Sequence, residues 1–310
     1  MHTSDKTPNL KDRLDVVPMK AGLAADVQGI DFAKPIDEAT QQALLQAWAD
    51  YPVLLFRGQA HISAEDHIAA TNIFGEPAKN ASRSYVDKAG ATPDYLVEHP
   101  EILVVSNLGP DGQPVIENQG LGSGEVVWHS DNSYVETPPA GSMLRALEIP
   151  PDGAGNTSFS NQYLAYETLP EETKEKIARL YTKHDASRNS AGQLRPGVKK
   201  PEALEEVPGP HHPLVRVHPA TGKRALFLGR RRDFPSQYVI GWSRAESEEL
   251  LDFLWDHATR DSLVWTHSWA VGDILLWDNR CTMHYREAHA GIHRRIMHRT
   301  QFGKEKPVIT

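Results

Sequence analysis

The sequence predicts a mainly β chain with helical insertions, folded as a double-layered jelly-roll barrel. Three observations carry this expectation. Short apolar runs bounded by Gly, Pro, Asp and Asn clusters recur from residue 102 to the C-terminal segment, which is the cadence of strands joined by tight turns. Helical periodicity is confined to a few insertions, and the strand–helix–strand alternation that builds a doubly wound parallel sheet is missing.

Residues 37–50 place Leu44, Leu45 and Trp48 at helical spacing, and Val53-Leu54-Leu55-Phe56 then reads as a buried strand. Ser63 opens a second helix that runs to Phe74 and ends at Gly75; Asp66 stands where a full capping box has Glu or Gln. Residues 80–100 are polar and broken. Strands follow in ILVVSNL, EVVWHSDNSY, SMLRALEI and NTSFSN, then a helical interlude over 164–184 with Leu169, Ile177 and Leu180. Residues 187–210, rich in Gly, Pro, Lys and Glu, read as a long loop, either a lid or an inert excursion. PLVRVHP and RALFLG resume the strands. Ser243 and Glu246 form a capping box for a helix ending near His257, with Leu250, Leu251 and Leu254 as its apolar face. LVWTHSW, DILLWDN, TMHYRE and RRIMHRTQFG close the chain as strands. One domain over 13–305 is expected, with residues 1–12 frayed.

The 310 residues carry a formal net charge of -8, which argues against a nucleic-acid or anionic-membrane surface and favours a small-molecule partner. No apolar run approaches the roughly 20 residues that span a bilayer, and the polar N-terminus lacks a signal peptide's apolar stretch, so a cytoplasmic location is expected. Cys281 is the one cysteine among 15 histidines; a metal here must rest on imidazole and carboxylate.

Side chains on a strand alternate faces, so Trp128-His129-Ser130-Asp131, read as strand, sends His129 and Asp131 to the same side, where two groups can share one metal. The other His-x-carboxylate, His99-Pro100-Glu101, has a central proline in a polar segment and is set aside as a loop feature. A hydrogen-bonded pair at a strand end is the competing reading of His129 and Asp131, since His-x-Asp is short and common. Residues 272–284, GDILLWDNRCTMH, add a far histidine, His284, after an apolar strand and a turn. Two histidines and one carboxylate leave about three open positions on an octahedral iron, the facial-triad arrangement of non-haem Fe(II) oxygenases. Zinc prefers a nearly closed tetrahedral set, and calcium or magnesium more oxygen. A chelating 2-oxo acid takes two open positions and needs a cation for its far carboxylate. Arg295 and Arg299 lie an even number apart and share a face, with Arg294 turned away; a solvated basic edge strand is the alternative.

With these residues in view, WHSDNSYVETPPAG at 128–141, WDNRCTMHY at 277–285 and RRIMHR at 294–299 resemble the taurine/2-oxoglutarate dioxygenase family, which also includes aryloxyalkanoate and alkylsulfatase dioxygenases. LLFRGQ at 54–59, FGEP at 74–77 and VRVHPATGKRALF at 215–227 extend the resemblance over nearly the whole chain. It implies a double-stranded β-helix, iron ligated by His129, Asp131 and His284, 2-oxoglutarate held through Arg295 and Thr157, and O2 as co-reactant. Arg299 matches an arginine that serves substrate or cosubstrate, and Glu125 and Asn132 fall on the substrate side. The chain departs from the taurine enzyme where Ala78-Lys79-Asn80-Ala81-Ser82 follows FGEP in place of a histidine, and where Glu125 replaces an asparagine. Taurine is therefore not the expected substrate. The implied reaction is hydroxylation of an unactivated C–H bond of a small anionic molecule with release of succinate and CO2, by a homo-oligomer. Halogenation is disfavoured because Asp131 takes the place a chloride would need.

Two rivals share the barrel. A metal-dependent non-oxidative enzyme predicts zinc or manganese retention without dependence on 2-oxoglutarate; a catalytically silent binding protein predicts ligand binding without succinate. Arg230, Arg231 and Arg232 suit an anionic substrate or a basic surface loop, since consecutive residues cannot all face one pocket.

Overall fold

Two runs of sequence, Val53–Phe56 (β3) and Ile274–Asp278 (β14), are buried along their whole length, and a strand of that kind needs cover on both faces. They pair antiparallel at the centre of a seven-stranded sheet. Its order is β1 (Asp15–Lys20), β2 (Ala24–Gln28), β3, β14, β6 (Gly141–Glu148), β16 (Ile296–Phe302) and β4 (Leu103–Ser106). The computed structural model describes residues 14–20, 22–79, 98–109, 111–115, 124–188, 192–289 and 293–309. The expected frayed segment 1–12, most of the polar stretch 80–100 and part of the 187–210 loop lie outside the described residues.

One face of the large sheet is covered by α1 (Glu38–Asp50) and α2 (Ala64–Asn72): Leu44 and Trp48 pack on Leu54, Phe56, Met143, Ile274, Leu276 and Phe302. The other face presents Val53, Leu55, Leu144, Leu275, Trp277 and Met297 to Phe159. Phe159 belongs to a second, four-stranded sheet of order β13 (Val264–His267), β7 (Thr157–Asn161), β15 (Thr282–Arg286) and β5 (Val126–His129). Behind that sheet, Met283 meets Leu250, Leu251 and Leu254 of α5 (Arg244–Ala258), with α3 (Gln162–Glu167) and α4 (Glu171–Ile177) contributing Ala165 and Ile177. The period of two therefore sorts each strand. On β16, Met297 points between the sheets, while Thr300 lies 2.7 Å from the Thr71 hydroxyl of α2.

Smaller sheets flank this pair. One is β12 (Tyr238–Val239), β8 (Tyr181–Lys183) and β9 (His211–Pro213); the other is the hairpin of β10 (Val215–Val217) and β11 (Arg224–Leu226). The interlude over 164–184 is not one helix. Pro170 starts a fresh helix after α3, and Tyr181–Lys183 leaves the helical register to pair with β9 and β12. The capping box of α2 is complete, since Asp66 Oδ2 accepts from Ser63 N at 2.8 Å while Ser63 Oγ accepts from Asp66 N at 3.0 Å. The short Asp side chain does the work expected of Glu. Among the described residues no helix is long and apolar enough to cross a membrane.

Gly141 faces Phe302 across the β6–β16 ladder. A Cβ there would strike the Phe302 ring and lie 3.0 Å from the Trp277 carbonyl, and the ring is held by Trp48 and Phe74 at centroid distances of 5.5 and 6.4 Å. Gly141→Ala should therefore cost about 1–3 kcal/mol, read as a lower Tm in thermal denaturation; an unchanged Tm would mean the ring is free to move.

Candidate metal centre

The two histidines come from neighbouring strands. His129 on β5 and His284 on β15 are direct cross-strand partners, with ring centroids 4.1 Å apart. The expectation that His129 and Asp131 share one strand is corrected here: β5 ends at His129, and Asp131 lies in the turn that follows. Asp131 takes its backbone partners from a side chain instead of a ladder. Its N–H donates to Asn279 Oδ1 at 2.7 Å, and its carbonyl accepts from Asn279 Nδ2 at 3.0 Å. Ser130 N donates to the Gly229 carbonyl at 2.9 Å, and Asn132 turns the chain with φ 49°. Gly229 has φ 70°, and a Cβ on it would strike His184 Nδ1, so glycine is required there on two counts.

The result is three donor atoms facing one point. Asp131 Oδ1 lies 3.7 Å from His129 Nε2 and 3.9 Å from His284 Nε2, too far for hydrogen bonds. His129 Nδ1 is 2.8 Å from the Val127 carbonyl. A carbonyl only accepts, so Nδ1 carries the proton and Nε2 keeps its lone pair. Burial, with Arg230 nearby, holds His129 down at about 4 against the pull of Asp131. Burial and then His129 hold His284 well below its ordinary value. Both imidazoles are neutral at neutral pH, the form that ligates. Burial works against ionisation of Asp131, yet Arg299, His284 and His129 hold its carboxyl well below the usual range. Its Oδ2 accepts from Ser142 Oγ at 3.0 Å and Gln301 Nε2 at 3.2 Å, leaving Oδ1 to face the histidines. Two neutral nitrogens and one carboxylate oxygen, buried and pre-aimed, fit a divalent transition metal with open positions.

Around this cluster the other expected residues fall into place unevenly. Thr157 is the first residue of β7, 5% exposed, and its hydroxyl accepts from Trp269 Nε1 at 3.0 Å. Arg295 precedes β16 and is 2% exposed; no carboxylate among the described residues pairs with its guanidinium. Arg294 turns away to Glu148 at 2.8 Å. Arg299 reaches Asp131 Oδ1 at 3.1 Å. Asn132 Nδ2 donates to Gln301 Oε1 at 3.2 Å, and its Oδ1 accepts from Tyr134 Oη at 3.0 Å. Glu125 is not brought in. It is exposed beside the Tyr285 hydroxyl, on the outer side of the sheet where Tyr285 meets Trp128 at 5.6 Å, because the bulge between His284 and Arg286 shifts the pairing of β5.

Asn279, Ser142 and Gln301 were not singled out in the sequence. The signal for Gln301 was present, since it is two residues beyond Arg299 on the same strand face. The arginine triplet, which lies in the loop after β11, divides: Arg231 pairs with Glu248 and Asp252 at 3.2 and 2.7 Å, while Arg230 feels the charges of Asp131 and Arg299 and is depressed to about 10, chiefly by burial. A second buried group, His218, Asp278 and Cys281, is not a metal site. His218 Nδ1 accepts from the amides of Ala220 and Thr221, so Nε2 carries the proton and donates to Asp278, which Arg280 also claims at 2.7 Å.

The comparisons with known proteins agree with this geometry. The chain is 32% identical over 305 residues to the alpha-ketoglutarate-dependent sulfate ester dioxygenase of Pseudomonas putida, covering 95% of this chain and 91% of the relative. It is 31% identical to the (S)-phenoxypropionate/alpha-ketoglutarate-dioxygenase of Sphingobium herbicidovorans over 293 residues, 91% of this chain and 92% of that one. A crystal structure of AAD-2 in complex with Mn(II) and N-oxalylglycine superposes with a TM-score of 0.79 at 29% identity, covering 95% of this chain and 99% of that chain. A family model, described as taurine catabolism dioxygenase TauD, TfdA family, matches residues 15–301. The chain belongs to the TauD/TfdA dioxygenase family.

Proposed function

We propose that this chain is an Fe(II)- and 2-oxoglutarate-dependent dioxygenase that hydroxylates a small anionic substrate, with His129, Asp131 and His284 holding the iron. The observation that carries the reading is the convergence of those three donor atoms in a buried site that keeps both histidines neutral. The facing sheets are then the halves of a jelly roll, in one domain over 13–305.

When bound, iron and 2-oxoglutarate supply the oxidising power, with succinate and CO2 as the cosubstrate's products. The chain's own residues position and exclude. Ser142 and Gln301 hold Asp131 Oδ2, which favours one-oxygen ligation and leaves positions open. Phe159 and Trp277, with ring centroids 6.0 and 5.0 Å from that of His284, wall the site from water. Arg295 offers a buried guanidinium to the distal carboxylate, and Thr157 a hydroxyl beside it. Arg299 and Arg230 supply positive charge on the Asp131 side. That side suits an anionic head group, in keeping with relatives named for sulfate esters and phenoxypropionate.

Anaerobic addition of 2-oxoglutarate to the Fe(II) protein should give the weak visible charge-transfer band of the chelate. His284→Ala should abolish it, and a band of full intensity in that variant would refute the ligand assignment. Arg295→Met should raise the KM for 2-oxoglutarate at least tenfold; an unchanged KM would remove Arg295 from the pocket. Asn279→Ala should weaken Mn(II) binding by about 10–100-fold in calorimetry, because it frees the turn that carries Asp131. Oxygen consumption with a panel of alkyl sulfates and aryloxy acids, scored against succinate release, identifies the substrate class, and coupled turnover on uncharged analogues alone would overturn the anionic reading.

A further inference from the structure

Arg286 has no role in the reading above. Arg286 is 7% exposed at the end of β15. It lies two residues from His284, so both side chains leave the same face of the strand, about 7 Å apart along it. On the neighbouring strand β7, Phe159 is the partner of His284 and Thr157 the partner of Arg286. Directly opposed side chains stand with Cβ atoms about 4.5–5.5 Å apart. Arg286 therefore shares a face with the threonine assigned to the cosubstrate and sits one strand step beyond a metal ligand.

Arg295 approaches the same space from the opposite sheet. Burial, with Arg286 alongside, depresses Arg295 to about 9, and His289 is lowered by burial and then by both arginines. Gly155, with φ 83°, lets this cluster close: a Cβ on it would lie 3.3 Å from both Arg295 Nε and His289 Cδ2.

We infer that Arg286 is a second guanidinium of the cosubstrate pocket, holding the distal carboxylate of 2-oxoglutarate together with Arg295 and setting selectivity for 2-oxo acids with an anionic tail. The inference rests on the Fe(II)/2-oxoglutarate reading. A five-carbon 2-oxo diacid chelated near His284 spans about the separation of His284 and Arg286 along the strand. The competing role is structural, because Arg286 Nη2 also donates to the Gly124 carbonyl.

The test is an anaerobic titration of the Fe(II) protein, followed by the chelate band, with 2-oxoglutarate and with 2-oxobutyrate, which lacks the distal carboxylate. Arg286→Met should raise the Kd for 2-oxoglutarate by about ten- to hundredfold and leave that for 2-oxobutyrate within twofold, with Arg286→Lys intermediate. Unchanged 2-oxoglutarate binding in both variants, or equal weakening for both acids, overturns the inference and assigns Arg286 to the Gly124 contact. Where Arg286→Met fails to fold, Arg286→Lys decides by the same ratio. No band with either acid in the unsubstituted protein refutes the underlying reading instead, and the inference with it.

Discussion

A carboxylate that no ladder holds organises the centre of this protein. Asp131 is 4% exposed and ionised, and a charge of that kind costs several kcal/mol unless it is compensated. Compensation comes from other strands: Ser142 and Gln301 on one oxygen and Arg299 on both. A strand position could not offer this. The pleat would give Asp131 neighbours from two strands only, whereas the turn lifts it to where β5, β6, β15 and β16 all reach it. Asn279 makes the departure affordable to the backbone by replacing the missing ladder bonds with those of its own amide.

The rest of the architecture follows from sorting residues by face. Where α1 and α2 cover the large sheet, the strand positions are apolar. Between the sheets, Trp277, Met297 and Phe159 form a dry floor, and the polar inward positions Ser142, Arg299 and Gln301 gather at one end beside the histidines. A dry floor under a polar cluster lowers the local dielectric, so each charge-assisted contact there is worth more than at a surface.

Most of this arrangement was legible because strand periodicity is local. VLLF read as a buried strand and ILLWD as an apolar one, and His284 followed a recognisable strand and turn. What was not legible depends on contacts between distant parts of the chain. Nothing local marks the end of β5 at His129, because that end is imposed by Asn279, 148 residues away. Glu125 was misplaced for the same kind of reason: a bulge between β5 and β15 turns it outward, and bulges leave little trace in one sequence. The interlude over 164–184 resembled one helix because Leu169 and Ile177 keep helical spacing, while the pairing of Thr182 with His212 in β9, a tertiary contact, makes the last turn a strand.

How the chain treats its buried arginines separates structure from function. Arg216, 1% exposed, pairs with Glu305, and Arg280 pairs with Asp278; in that layer the protein supplies its own anions. Arg295 is as deeply buried, yet no described carboxylate answers it, and Arg299 must share Asp131 with whatever the histidines bind. Buried arginines answered by the chain's own carboxylates thus stand beside one that no described carboxylate answers. On the proposed reading the arriving charges are drawn one toward Arg295, which immediately precedes β16, and Thr157, the other toward Arg299 on β16 and Arg230.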